Sequence, residues 1–188
     1  MATVYGVPYF LEDQSGDLAG SEFVDLYKRI SLTVRCTLRS DTHTAYMVYD
    51  MTSRGVNRGG LLVPLACLDF GAGHALGTIK VGEKEAVNMS DYLTKLSPLG
   101  RYVSKQRKFV ASDGQEYRWK WRSDADDEWT CVNSSGYHVA SYSLKPAGEP
   151  QYQSSSGCVL TVEESYPHLI GELLASLTIM RHIAKYNL

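Results

Sequence analysis

Seven cations lie close together in the chain: Arg101, Lys105, Arg107, Lys108, Arg118, Lys120 and Arg122. Guanidinium and ammonium groups bind phosphates and carboxylates, arginine through two parallel hydrogen bonds and lysine as a point charge. In the run YRWKWR, positions 117–122, cations alternate with Tyr117, Trp119 and Trp121. On a strand, successive side chains point to opposite faces, so the three cations share one face. The run from Tyr102 to Ala111 precedes it across the turn Ser112-Asp113-Gly114, a hairpin signal. If the two strands pair, their polar faces make one basic strip suited to an anionic head group or phosphate. The competing reading is an ordinary solvated strand face, and the acidic run Ser123 to Glu128 can neutralise part of it. Tyr117, Trp119 and Trp121 would stack on sugars or bases if exposed, but their charged opposite face makes them core.

Other chemistry has weaker support. The five histidines, His43, His74, His138, His168 and His182, show no ligand spacing, and a zinc site needs three or four convergent ligands. No GxSxG elbow occurs. The segment Gly71 to Gly77 matches a phosphate loop only in glycine content, not in spacing. No catalytic residue, metal ligand or cofactor is therefore assigned, and the chain reads away from an enzyme.

The element that must position everything else is the closing stretch, Glu164 to Leu188. Leu169, Ile170, Leu173, Leu174, Leu177, Met180, Ile183 and Ala184 recur at helical spacing, and the residues between them include no charged face. A helix of this kind is buried on most sides. Ser165 is the expected N-cap, Pro167 suits the first turn, and Glu172 early with Arg181, His182 and Lys185 late fits the helix dipole. Its length matches a bilayer, but Glu172, Arg181 and His182 interrupt the apolar run, so a core helix is expected rather than a membrane span.

Upstream the pattern is mostly strand. Ile30 to Arg39 alternates cleanly, with Ile30, Leu32, Val34, Cys36 and Leu38 on one face. Thr44 to Thr52 is a second strand. In Leu61 to Phe70, Pro64 marks an edge or a break. Short strands follow at Thr78 to Val81, Glu128 to Val132, Tyr137 to Leu144 and Cys158 to Val162. Ser21 to Arg29 reads as a short helix, Met89 to Leu93 as one helical turn capped by Ser90, and residues 1–20 as largely aperiodic. About ten locally connected strands and one apolar helix suggest a closed antiparallel β-barrel wrapped around the C-terminal helix. Residues 1–188 are taken as one domain, with 1–29 as an N-terminal extension.

Composition agrees with a globular chain: 188 residues, 44% hydrophobic, thirteen tyrosines and three tryptophans. A formal net charge of −2 does not suggest nucleic acid as a partner. Met1 to Phe10 lacks the features of a signal peptide, and Cys36, Cys67, Cys131 and Cys158 are widely spaced. Reduced thiols and a cytoplasmic location, peripheral to membranes at most, are expected.

Phe109-Val110-Ala111 with Asp113-Gly114, then Tyr117 to Trp121, Trp129-Thr130-Cys131, Gly136, Tyr142 and the segment Leu177 to Arg181 resemble a fungal domain family of uncharacterised function. That family is similar to the tubby C-terminal and phospholipid-scramblase group. The resemblance implies a closed barrel around a C-terminal helix, and it suggests an anionic membrane lipid as partner. None of the shared motifs is catalytic. The leading expectation is a non-catalytic binding module for an anionic phospholipid or phosphoinositide at the seven cations. The alternatives are an enzyme or small-molecule-binding protein, with a site formed by the N-terminal segment and the loops Ser53 to Gly60 and Gly71 to Gly77, and an interaction scaffold acting through Lys145 to Gly157.

Overall fold

The structure is a computed structural model that describes residues 6–52, 62–96, 106–121, 127–145 and 155–188. Its strands are β1 (Tyr9–Asp13), β2 (Gly20–Asp25), β3 (Ser31–Arg39), β4 (Thr44–Asp50), β5 (Ala66–Phe70), β6 (Thr78–Val81) and β7 (Val87–Asn88), then β8 (Thr94–Lys95), β9 (Arg107–Val110), β10 (Glu116–Trp121), β11 (Asp127–Asn133), β12 (His138–Ser143) and β13 (Cys158–Val162). Helical turn α1 (Met89–Tyr92) lies between β7 and β8, and helix α2 (Ile170–Tyr186) follows β13.

All thirteen strands form one sheet in the order β7-β6-β5-β4-β3-β2-β1-β13-β12-β11-β10-β9-β8. Two antiparallel meanders, β1 to β7 and β8 to β13, are thus joined where β1 pairs with β13, from Tyr9 opposite Val162 to Asp13 opposite Cys158. The sheet is not closed into a barrel, contrary to the sequence expectation. Its edges, β7 and β8, are two residues each and do not pair with one another. The chain crosses from one edge to the other through α1, which packs on β6, β7 and β9. Met89 and Leu93 are fully buried there. Side chains thus fill the gap where a closed barrel would have a hydrogen-bonded ladder.

Helix α2 is enclosed as its composition requires. Every residue from Glu172 to Met180 is buried. Its polar groups reach both halves of the sheet: Ser176 Oγ accepts from Trp119 Nε1 at 2.9 Å, and Arg181 Nη2 donates to the Gly16 carbonyl at 2.7 Å. Glu172 accepts from the Tyr92 hydroxyl and from the Ser112 N–H, each at 2.8 Å. Arg181 also lies 3.5 Å from the buried Asp13 carboxylate, which accepts from the Tyr142 hydroxyl at 2.7 Å. At Gly171 a Cβ would sit 2.6 Å from Cδ1 of Leu65, the residue just before β5.

Several local expectations change. Ser165 caps nothing: a 3-10 turn, Pro167–Leu169, leads into α2, and no side chain caps the helix start. Asn88, not Ser90, precedes α1. The segment read as a short helix from Ser21 is instead strand β2, with Ser21, Phe23 and Asp25 facing inward. Two of those three are polar, so the inward face does not look apolar in sequence. Asp25 holds Arg29 and accepts from the Phe10 N–H, while Ser21 donates to Asp13. Strand β1 falls in the stretch read as aperiodic. In β3 a register shift between Cys36 and Leu38 leaves Leu38 exposed at 54%, which ends the alternation early.

Replacing Leu177, fully enclosed on α2, with aspartate places a charge in the core with no partner. That cost is several kcal/mol, comparable with a whole domain's stability of about 5–15 kcal/mol. Leu177→Asp should lose its cooperative thermal transition. A well-folded variant with dispersed amide resonances would show that the helix is not the core.

Candidate functional site

The seven cations do not stay together. Arg101, Lys105 and Arg122 lie outside the described residues. Strands β9 and β10 do pair, with Arg118 opposite Lys108 and Trp119 opposite Arg107. Arg107 therefore points inward beside Trp119 and is 3% exposed. Its Nη1 donates to the Leu93 carbonyl at 3.3 Å and its Nη2 to the Leu188 carbonyl at 3.4 Å, while Nε has no partner. Burial draws its pKa below the usual arginine value. Lys108, Arg118 and Lys120 do share the outer face, but Glu116 lies 2.8 Å from both Lys108 Nζ and Arg118 Nη2. The hydrogen bonds from Lys108 and Arg118 hold Glu116 below the usual carboxylate range. The opposite face is core as expected: Tyr117 and Trp119 are buried, and Trp121 packs against the core.

A different place gathers more chemistry. At the C-terminal end of α2 a cleft of about 600 Å³ opens between the helix and three chain reversals of the sheet. The β1–β2 turn contributes Asp17, Leu18 and Ala19. The β3–β4 turn contributes Arg39, Ser40, Asp41 and Thr44, and Tyr46 follows on β4. The segment after β5 contributes Gly71 and His74, and α2 contributes Thr178, His182, Lys185 and Tyr186.

Aromatic rings build the cleft's inner wall. The His182 ring stacks on Phe70 at 3.9 Å between centroids and 22°. Tyr46 meets Phe70 edge-on at 5.9 Å. His74 stacks on Tyr186 at 3.8 Å and 8°. The His182 Nε2–H donates to the His74 carbonyl at 2.8 Å, which fixes the His182 tautomer and leaves Nδ1 as an acceptor. The neighbouring Tyr46 hydroxyl is the main reason the Arg39 pKa is raised, and burial pushes the Tyr46 phenol up.

The loop after β5 is shaped to bring His74 here. Gly73 and His74 both have left-handed backbones, φ 62° and 67°. Histidine takes that conformation only at some cost. At Gly77 a Cβ would lie 2.1 Å from the Asp69 carbonyl oxygen, so only glycine lets the chain return to β6.

The other three histidines stand apart, beside Asp69 (His43), Glu163 (His138) and Asp113 (His168). Among the described residues no three His, Cys, Asp or Glu side chains come together to hold a metal. The four cysteines are free. No described helix is long and apolar enough to cross a membrane.

Two parts of the cleft were foreseen as an alternative site, the N-terminal segment and the loop carrying His74. The loop 53–60 lies outside the described residues. Arg39, Tyr46 and Phe70 were missed, having been read as strand residues. One signal was available: His182 and Tyr186 are four residues apart, on the same helix face.

The fold defines a β-sheet protein that encloses its C-terminal helix, with the cleft at that helix's end. The chain belongs to the family of unknown function DUF6593, whose model matches residues 31–185. No curated protein and no solved structure matches it. Strands β1 and β2, which supply the Asp17–Ala19 wall, precede the matched region.

His182 makes the site pH-sensitive. Burial holds its pKa below the usual 6.5; the His74 carbonyl bond opposes this, and the His74 and Lys185 charges reinforce it. From other elements, Phe70 and His74 touch it, and Tyr46 and Arg39 line the same cleft. Below about pH 6.5 the unfolded chain takes up a proton that folded His182 resists, so stability falls as pH drops through that value. It levels off below the folded-state pKa. Urea midpoints at about pH 7.5 and about pH 5.5 should show this loss reduced in His182→Gln. An equal loss in wild type and variant would remove His182 as its source.

Proposed function

We propose that this protein is a non-catalytic binding module that holds a small molecule in the cleft at the C-terminal end of α2. The observation that carries the reading is a cleft of about 600 Å³ with an aromatic wall and polar side chains brought in from four separate chain segments. Ligand sites combine apolar walls with a few placed polar groups in this way, within about 300–1,000 Å³. The four free cysteines support a cytoplasmic setting.

Ligand-observed NMR of the full chain against small polar aromatic compounds tests the reading, with hits mapped by amide shifts. Shifts should gather at Ser40, Gly71, His74 and Tyr186. Thr44→Trp, which fills the cleft mouth from a half-buried strand position, should keep the fold and weaken binding at least about tenfold, the equivalent of about 1.4 kcal/mol. Hits that map elsewhere, or that Thr44→Trp does not affect, would sink the reading.

A second reading is favoured by one observation, the alignment of Lys108, Arg118 and Lys120 on the outer face of β9 and β10. It keeps an anionic phospholipid or phosphoinositide as ligand. Glu116 counts against it by occupying two of the three cations. On this reading vesicles carrying phosphatidylserine or phosphoinositide should co-sediment the protein in a salt-sensitive way. Arg118→Glu with Lys120→Glu should abolish that. Co-sedimentation that persists in the double variant would place any lipid site elsewhere.

A further inference from the structure

Resting on the cleft reading above, we infer that the cleft's ligand carries an anionic group, a carboxylate or a phosphate, bound between Arg39 and Lys185. Four cationic side chains elsewhere in the described structure, Arg29, Lys108, Arg118 and Arg181, are each spent on a carboxylate. Arg39 and Lys185 have no carboxylate partner among the described residues. Both are exposed, and they line the same cleft from opposite elements, the β3–β4 turn and the end of α2. Arg39 has five N–H donors, and a guanidinium can take a two-oxygen acceptor through two parallel hydrogen bonds.

The cleft also holds two carboxylates, and they are not equivalent. Asp17 is turned to its own backbone, accepting the Ala19 N–H at 3.0 Å. Asp41 sits at the tip of the β3–β4 turn and is exposed, where solvent screens it. A cationic ligand would be repelled by Arg39 and Lys185, which line the same cleft as the rings. An anion bound by Arg39 and Lys185 would share the cleft with Phe70, His182 and Tyr186, against which its apolar part can rest.

The chemistry can be offered by a dissolved molecule or by a lipid head group. The test uses four probes with one ring and different charge: phenyl phosphate, benzoate, benzyl alcohol and benzylammonium. Each is titrated into the full-length protein and followed by amide shifts. Phenyl phosphate and benzoate should bind at the cleft more tightly than the other two. Arg39→Gln and Lys185→Gln should each weaken phenyl phosphate about tenfold with the amide spectrum otherwise unchanged. Neutral or cationic probes binding at the cleft as tightly, unaffected by these variants, would overturn the anion assignment and leave the cleft reading standing. No shift at the cleft with any probe would overturn both. A parallel arm uses phosphatidylcholine vesicles with and without phosphatidylserine. Capture only by the anionic vesicles, lost in Arg39→Gln, assigns the anion to a head group; soluble-probe binding without capture assigns it to a free molecule.

Discussion

A helix with no polar face has to be enclosed, and the rest of this structure follows from that requirement. From Glu172 to Met180 every residue of α2 is buried, so a one-sided sheet could not satisfy it. Enclosure brings an obligation with it: each polar group on the helix must find a partner inside. Glu172 takes donors from Tyr92 and Ser112, Ser176 takes the Trp119 indole, Arg181 binds Gly16 and Asp13, and His182 binds the His74 carbonyl. These partners lie on α1, the β9–β10 turn, β10, β1 with the turn after it, and the loop after β5. The same contacts that satisfy the helix set its position against both meanders.

How the enclosure is completed was not legible in the sequence. The alternation of β10, the turn at Asp113-Gly114 and the apolar period of α2 all read directly, because each is a local pattern of side chains. Closure is decided instead by whether two distant edges pair. Here β7 and β8 are two residues long, too short to show any alternation, and Met89 and Leu93 fill the space between them. Strand β2 was misread for a related reason. Its inward face carries Ser21 and Asp25, whose burial makes sense only once Asp13, Arg29 and the Phe10 N–H are brought beside them.

The basic strip and the cleft show the same limit from the functional side. Period-two alternation correctly separates Arg118 and Lys120 from the tryptophans. It also puts Arg107 on the inner face once the register is known, since Arg107 pairs with the buried Trp119. Sequence proximity brought seven cations together; register divides them. The cleft is the converse. Its residues come from positions 17 to 186, and only enclosure of α2 brings Arg39, His74 and Lys185 to one place.

The end of α2 also places a cation at the cleft. The last turn of a helix presents unpaired carbonyls and favours cations nearby. Some of that demand is met by backbone, with the Asn187 and Leu188 N–H groups both directed to the Ile183 carbonyl. Arg107 donates to the Leu188 carbonyl just beyond the helix, and Arg181 is occupied by Asp13 and Gly16. Lys185 lies in the last turn with its Nζ 5.6 Å from the Tyr186 ring centroid, and Arg39 has the neutral groups of Tyr46 and Cys36 beside it. Arg39 and Lys185, neither with a carboxylate partner among the described residues, line one cleft, whereas on the outer strip Glu116 occupies Lys108 and Arg118 and leaves Lys120.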